Sequence, residues 1–498
     1  MSAIDKLNER IGEVMDLRHA ADLIEWDERV YMPPGGVAVH GAMSAALRRL
    51  AHEKFTSAEV AETLEQARGL VAREDPDSTA ARTVAVVARD YSRATRVPAE
   101  FVAEHAAAVS AAQHVWAQAR AKAEFALFKP HLAKIIDLKR RYVSFFPPAD
   151  HPYDVLLDEF EPGMRTADVK RLFDALRQRQ VAIIRTVTDR PVPPAPFLTI
   201  SYPEHEVWRF AVDVVTAFGF DWNRGRQDKS VHPFATGIGA GDVRITTRWV
   251  EGQPLALLFG TMHEAGHGLY EQGVADEHQR TLLEGGASLG VHESQSRLWE
   301  NMVGRSRPFW DHFFPRLQAK CPSQLSGVDV DRFHSAVNRV KPTLIRVEAD
   351  EATYNLHIML RVELELALIE GSLNVDDLPS AWNVKMQDYL GLTPPDDRVG
   401  VLQDIHWAAG LFGYFATYTL GNVIAAQLWK KFGEVHADRD VDIGRGDFSA
   451  LLAWLRGKLH QHGRKFEPQE LVERITGSPV NPEPYLRYLE QKYGDLSG

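Results

Sequence analysis

The sequence predicts a mainly α-helical fold, one large multi-helical unit with a small β-sheet beside its functional site. Three observations carry this. Long segments rich in Ala, Leu, Val, Glu and Arg place apolar residues at helical spacing, clusters of β-branched residues are scarce, and a single stretch, DVRITTRWV at 242–250, reads as a clear strand. With 498 residues, 45% hydrophobic and 25% charged, burial of a core is not limiting.

In order, Leu7, Ile11, Val14, Met15, Leu23 and Ile24 predict a helix over 4–25 that breaks at WDERVYMPPGG. Several amphipathic helices are expected between about 38 and 145. The stretch 144–164 is proline-rich and reads as loops around a short segment, with Asp158, Glu159 and Glu161 as a solvated acidic loop. A helix fits 166–188, and the prolines of 190–205 forbid regular structure there and suggest a linker. This divides the chain into an N-terminal helical lobe, 1–195, and a catalytic lobe, 196–498, closing together as one continuous domain. Helical patterns resume after the strand, around 327–371 and over much of the C-terminal region. The run Trp407–Trp429 lacks charge and is long enough to span a bilayer, but its Gly, Thr, Asn and Gln content favours a buried helix, so no membrane partner is expected.

Lys+Arg of 57 against Asp+Glu of 68 give a net charge of −11, which argues against a nucleic-acid partner. The single cysteine, Cys321, can neither close an internal disulfide nor build a cysteine metal cluster, and a reducing cytosol is the simplest setting. The charged N-terminus MSAIDKLNERIGEVMDL does not resemble a signal peptide.

The chemistry concentrates in GTMHEAGHGLYEQG at 260–273, where His263, Glu264 and His267 form H-E-x-x-H. On a helix the two imidazoles project from one face, close enough to grip one cation, and Glu264 reaches a water on it. Neutral imidazoles leave Zn²⁺ its charge, so that it lowers the pKa of a bound water to ~7. A third ligand is needed. Glu293, in the polar run VHESQSR on what reads as the next helix but one, has suitable spacing. A metzincin is excluded, since Gly273 stands where its third histidine belongs and Tyr270 where its glycine belongs. A di-iron carboxylate bundle requires a second E-x-x-H helix, and none is present. An incidental surface motif is the plain alternative, and Glu293 with the motifs below outweighs it.

Those motifs are His232-Pro-Phe, Asp242-Val-Arg244-Ile-Thr246-Thr, His292-Glu293-Ser294-Gln295, Ile345-Arg346-Val-Glu-Ala-Asp350 and Gly400-Val-Leu-Gln403-Asp404-Ile-His406-Trp407. With the H-E-x-x-H, the TrpAsp at 26–27 and the FPPADHPYD run from Phe146, the chain resembles the Taq-type thermostable metallocarboxypeptidases over most of its length. The resemblance implies a cytoplasmic, largely helical homodimer with a deep active-site groove that uses zinc or cobalt. It removes C-terminal residues one at a time from peptides with a free C-terminus, with broad side-chain tolerance. It also implies His263, His267 and Glu293 as metal ligands and Glu264 as general base. Ala416 departs from the proline expected in GYFATYTLGN.

Read as chemistry, a free α-carboxylate calls for a half-buried guanidinium, with Arg346 the first choice and Arg244 the second. The developing oxyanion needs a donor, with His406 first and Tyr414 and Tyr418 next, while His232 holds substrate backbone. Asp350 and Glu284 are candidates for the carboxylates behind the metal-binding imidazoles, and Ser294 and Gln295 support Glu293 or touch substrate. The alternatives are a zinc oligopeptidase that releases dipeptides or cuts internally, and a peptide-binding metalloprotein without turnover. Glu264, which structure alone does not require, speaks against the latter.

Overall fold

The computed structural model describes residues 2–189 and 194–495, and these are mainly helical. They fall into two compact units, each assembled from three stretches: Met1–Thr95, Pro193–Val337 and Leu428–Pro479 in the first, and Arg96–Val192, Asn338–Gln427 and Val480–Gly498 in the second. The lobe boundary expected at 195/196 adjoins residues 190–193, which lie outside the described residues.

The first unit opens on the helix Ala3–Val30, started by a reciprocal cap between Ser2 and Asp5. Its face of Leu7, Ile11 and Val14 packs with Phe55, Val60, Leu64, Val84 and Val87 into an apolar cluster. The helix runs past the expected break at Trp26, because the Pro33-Pro34 pair, rather than the charged residues before it, ends the hydrogen-bonding pattern. Trp26 is thereby buried on the helix.

Three short strands follow: β1 (Gly225–Lys229), β2 (Ala235–Gly237) and β3 (Val243–Thr247). Their order is β1-β3-β2, with β1 parallel and β2 antiparallel to β3. The expected strand is the central one, and four of its five residues are buried. Beside it lies the helix Pro254–Glu271, which Pro254 starts at a position where its missing N–H costs nothing. Thr247 Oγ1 donates to the Leu257 carbonyl at 3.2 Å and fastens strand to helix.

The helix Leu289–Arg297 crosses against Pro254–Glu271 at Gly266, where a Cβ would lie 2.5 Å from the Ser296 Cα and 2.7 Å from the Gln295 carbonyl oxygen. Backbone therefore meets backbone, and only glycine permits it. The second helix then widens into a π-turn over Leu298–Val303, held from behind by Trp299, whose ring lies tilted 4.5 Å from Phe218, itself 4.9 Å from Phe448.

The second unit contains the helices Ala99–Lys122, Phe125–Val143, Pro152–Leu157, Thr166–Thr188, Tyr354–Glu370, Leu378–Leu390 and Glu483–Asp495. The helical pattern expected around 327–371 is interrupted, with irregular chain and a 3₁₀ turn at Arg346–Glu348 separating Val330–Val337 from Tyr354–Glu370; Pro342, without an N–H, sits in the gap. Glu161, expected in solvent, is buried: Glu161 N bonds back to the Leu157 carbonyl at 2.8 Å and turns the segment onto its own helix. The charge-free run 407–429 begins in turns and becomes helical only at Ala416. Among the described residues no helix is long and apolar enough to cross a membrane.

Two buried carboxylates organise this unit. Asp404 Oδ1 accepts Arg346 Nε and Nη2 at 3.0 and 2.9 Å, and its Oδ2 accepts Arg361 Nε at 2.7 Å. Although burial opposes the charge, the two guanidinium groups hold the Asp404 carboxyl far below its usual range. Glu365 accepts Tyr153 Oη at 2.5 Å, Trp407 Nε1 at 2.8 Å and Gly413 N at 3.0 Å, so the turns after Asp404 are pinned to the helix Tyr354–Glu370. Burial pushes the Glu365 carboxyl up to about 7.

Gly266→Ala is expected to force the two site helices apart and lower stability by roughly 1–3 kcal/mol in denaturant titrations, with weaker metal binding. Asp404→Asn leaves two buried cations uncompensated and is expected to cost roughly 3–5 kcal/mol at pH 7. Because the folded pKa of Asp404 is depressed, its contribution is fully present above the unfolded value of ~3.9 and is lost as pH falls below it. The gap between parent and Asp404→Asn should therefore stay constant from pH 7 to 5 and narrow only below pH ~4, which unfolding curves at each pH will measure.

Candidate metal centre

The helix Pro254–Glu271 buries Leu257, Leu258, Met262, Ala265 and Leu269 and turns His263 and His267 to its remaining face, where their rings stand 5.0 Å apart and nearly perpendicular. Glu293 arrives from Leu289–Arg297, the next α-helix, with one 3₁₀ turn at Asp276–His278 between them. Its Oε2 lies 3.6 Å from His263 Nε2 and 3.5 Å from His267 Nε2. Tetrahedral ligation at ~2.0–2.2 Å sets neighbouring donors roughly 3.3–3.6 Å apart, so two imidazole nitrogens and one carboxylate oxygen fit a single divalent cation. Among the described residues this is the one such grouping, with one donor atom from each residue lying within 4.8 Å of the others.

The other atoms of the three side chains are held. Arg297, one turn beyond Glu293, donates Nε to Glu293 Oε1 at 2.7 Å and leaves Oε2 directed at the histidines. Glu300, on the π-turn, stands 3.0 Å from His263 Nδ1, and it also pairs with Arg297 and Arg305 at 3.4 Å each. His267 Nδ1 lies 2.6 Å from His292 Nδ1, and His292 Nε2 lies 2.6 Å from Glu271 Oε1. The carboxylates behind the imidazoles are thus Glu300 and Glu271. Glu284 and Asp350 are excluded: Glu284 accepts Arg280 N at 3.0 Å, and Asp350 caps its own turn, accepting Lys341 N, Ala352 N and Thr353 N. Glu300 and Glu271 had a signal in the sequence. Glu293, Arg297 and Glu300 follow helical spacing, and Glu271 lies one turn after His267.

The titratable groups of the site are strongly shifted. Burial raises the Glu264 carboxyl to about 7, with Glu293 and Glu300 adding to the rise against the pull of His263. Burial opposes a charge on His263 too, but Glu293, Glu300 and Glu264 overcome it and lift the imidazole to about 9, whereas burial keeps His267 near 4. Burial would raise Glu293, and Arg297 with the two histidines holds it well below the usual carboxylate range. Carboxylates this crowded around two imidazoles leave the site rich in negative charge, which suits a cation.

The other candidates divide between the two units. In the first, His232 is exposed, and its turn is tied to β3 by Phe234 N donating to Thr246 Oγ1 at 2.9 Å. Arg244 points from β3, paired through Nε and Nη2 with Asp242 and stacked 4.2 Å from the Trp26 ring. Ser294 donates to the Val291 carbonyl and Gln295 bonds Ser294 and His460, so both brace their helix. In the second unit, Arg346 is fixed by Asp404, by Tyr354 Oη at 2.9 Å and through its backbone N by Gln403. His406 Nε2 stands 3.3 Å from Tyr418 Oη, with Tyr414 5.4 Å away ring to ring. His406 Nδ1 is 3.9 Å from Asp404, beyond hydrogen-bond reach. Burial, then Arg346 and Arg361, lower the His406 imidazole to about 3 against the opposing Asp404.

Comparison with known proteins follows the same pattern. The family model described as Carboxypeptidase Taq (M32) metallopeptidase matches residues 6–493. The chain is 44% identical to thermostable carboxypeptidase 1 of Thermus thermophilus, covering 100% of this chain and 99% of that protein. It is 37% identical to carboxypeptidase 1 of Bacillus subtilis, covering 96% and 95%. The crystal structure of the M32 carboxypeptidase of Deinococcus radiodurans R1 superposes with a TM-score of 0.96 at 40% identity, over 99% of each chain. A full-length match in sequence and fold, around an H-E-x-x-H site with its glutamate in place, establishes that the chain belongs to the Carboxypeptidase Taq (M32) metallopeptidase family and is a metallocarboxypeptidase.

Proposed function

We propose that the protein is a zinc carboxypeptidase that releases single residues, with broad side-chain tolerance, from the free C-terminus of peptides. The observation that carries this reading is the convergence of His263 Nε2, His267 Nε2 and Glu293 Oε2 beside the buried Glu264. Two imidazoles and a carboxylate suit Zn²⁺, with Co²⁺ an acceptable substitute. When bound, the cation supplies Lewis acidity toward a water molecule and the substrate carbonyl.

The chain's own residues do the rest. Glu264, next to His263 on the helix, takes a proton from the attacking water and passes it to the leaving amine; burial, which raises its carboxyl to about 7, favours its taking that proton. Arg346 holds the terminal carboxylate, and Arg244 is the second choice. His406, supported by Tyr414 and Tyr418, donates to the carbonyl oxygen as negative charge gathers there, in keeping with an imidazole that burial holds neutral. His232 positions substrate backbone. The reading includes a cytoplasmic setting, for which the lone, buried Cys321 speaks, and a homodimer, which rests on the family resemblance.

Glu264→Gln should keep its metal, measured by elemental analysis, and lose at least about a hundredfold in amino-acid release. Metal content lost together with activity would remove the general-base assignment. Chelation should abolish release, and added Zn²⁺ or Co²⁺ should restore it. A peptide with a free C-terminus should be cleaved and its C-terminally amidated twin spared, and equal rates on the two would overturn carboxylate recognition.

A further inference from the structure

The two metal-facing histidines are backed unequally. His263 Nδ1 meets a carboxylate directly, Glu300 Oε2 at 3.0 Å. His267 Nδ1 meets a second imidazole, His292 Nδ1 at 2.6 Å, and the carboxylate comes only after it, Glu271 Oε1 at 2.6 Å from His292 Nε2. All three side chains of this line are at least four-fifths covered, at 18%, 18% and 19% exposure for His267, His292 and Glu271. The packing around His292 is tight, since a Cβ on Gly286 would lie 2.7 Å from its ring.

Two ring nitrogens at 2.6 Å need one proton between them, and the site dictates which carries it. His267 Nε2 faces Glu293 and presents its lone pair to the cation, so the proton of this neutral imidazole is on Nδ1. His267 Nδ1–H therefore donates to His292 Nδ1. His292 then carries its own proton on Nε2 and donates it to Glu271. Every hydrogen bond in the line has one direction, and the line ends on an anion, the arrangement that fixes ring orientation and makes a ligand nitrogen more basic.

We propose that Glu271 and His292 are positioning residues that act in series, Glu271 strengthening the grip of His267 on the cation only through His292, while Glu300 acts on His263 directly. This rests on His263, His267 and Glu293 being the cation's ligands. Residues 267, 271 and 292 sit at one crossing of two helices, so the relay is a property of the same contact that forms the site.

The test is a double-mutant cycle on the full-length protein, reading the Zn²⁺ dissociation constant by chelator competition at fixed pH. His292→Leu removes the acceptor and should weaken Zn²⁺ binding about tenfold to a hundredfold. Glu271→Gln should weaken it about three- to tenfold in the parent and leave it unchanged in the His292→Leu background. His292→Asn places an amide oxygen near the site of Nδ1 but cannot transmit the charge of Glu271. It should bind Zn²⁺ more tightly than His292→Leu and be indifferent to Glu271→Gln, and it serves as the scaffold if His292→Leu does not fold. Unfolding midpoints of the metal-free variants should match the parent. Zn²⁺ affinity unchanged in His292→Leu, or a Glu271→Gln effect of the same size with and without His292, overturns the relay. His263→Ala is the control for the underlying assignment, because Zn²⁺ binding retained there overturns the ligand set itself, whichever way the cycle falls.

Discussion

The site depends on keeping buried carboxylates ionised and aimed. Glu293 is almost wholly covered, and an isolated carboxylate there would neutralise rather than ligate. Arg297 prevents this by taking Oε1, which both maintains the charge and leaves Oε2 as the atom that faces His263 and His267. Oε2 comes within reach of the two imidazoles because Gly266 lets the two helices touch backbone to backbone. A side chain at 266 would move Glu293 by more than the tolerance of a cation whose ligands must lie within ~0.2 Å of their ideal distances. Local sequence therefore sets the positions of donors that are far apart in the chain.

The second unit uses the same device on cations. Arg346 and Arg361 are among its most deeply buried side chains, and Asp404 makes their burial tolerable. Glu365 then gathers Tyr153, Trp407 and the Gly413 backbone, so the turns carrying His406 and Tyr414 are fixed at both ends without regular secondary structure. Polar networks of this kind give little net stability over an apolar core of equal volume, but they fix geometry because each member's loss strands another.

The sequence was legible where structure is periodic and local. His263, Glu264 and His267 share a helix, and their relation follows from its pitch; the central strand β3 was readable from its β-branched residues. β1, GRQDK, was not, because an edge strand paired on one side needs no apolar alternation. The carboxylates behind the histidines were misplaced for a different reason. A sequence with many acids offers a plausible partner anywhere, and the helical spacing that links Glu300 to Glu293 is only one of several such spacings until the π-turn places its carboxylate against His263. The interposed His292 was visible only as the first residue of a motif. That its ring points at His267 rather than at solvent follows from the helix crossing, which is tertiary information.

Charge counting separates the two arginines proposed for the terminal carboxylate. Arg244 and Asp242 form a one-to-one pair through two hydrogen bonds, 2.9 and 2.7 Å, which leaves no surplus charge beside Trp26. Arg346 and Arg361 share a single carboxylate, so their cluster retains one uncompensated positive charge in a region removed from water. Arg361 is fully enclosed and gives Nη1 to the His357 carbonyl. Arg346, with the ring of Tyr418 5.1 Å from its guanidinium carbon, is the member of the pair that still has some exposure. A surplus cation held rigidly at low dielectric attracts an anion far more strongly than an already neutral pair does. On charge balance, the role proposed for Arg346 suits it better than Arg244: two cations share one acid, while Asp404 and Tyr354 hold the Arg346 guanidinium charged and oriented.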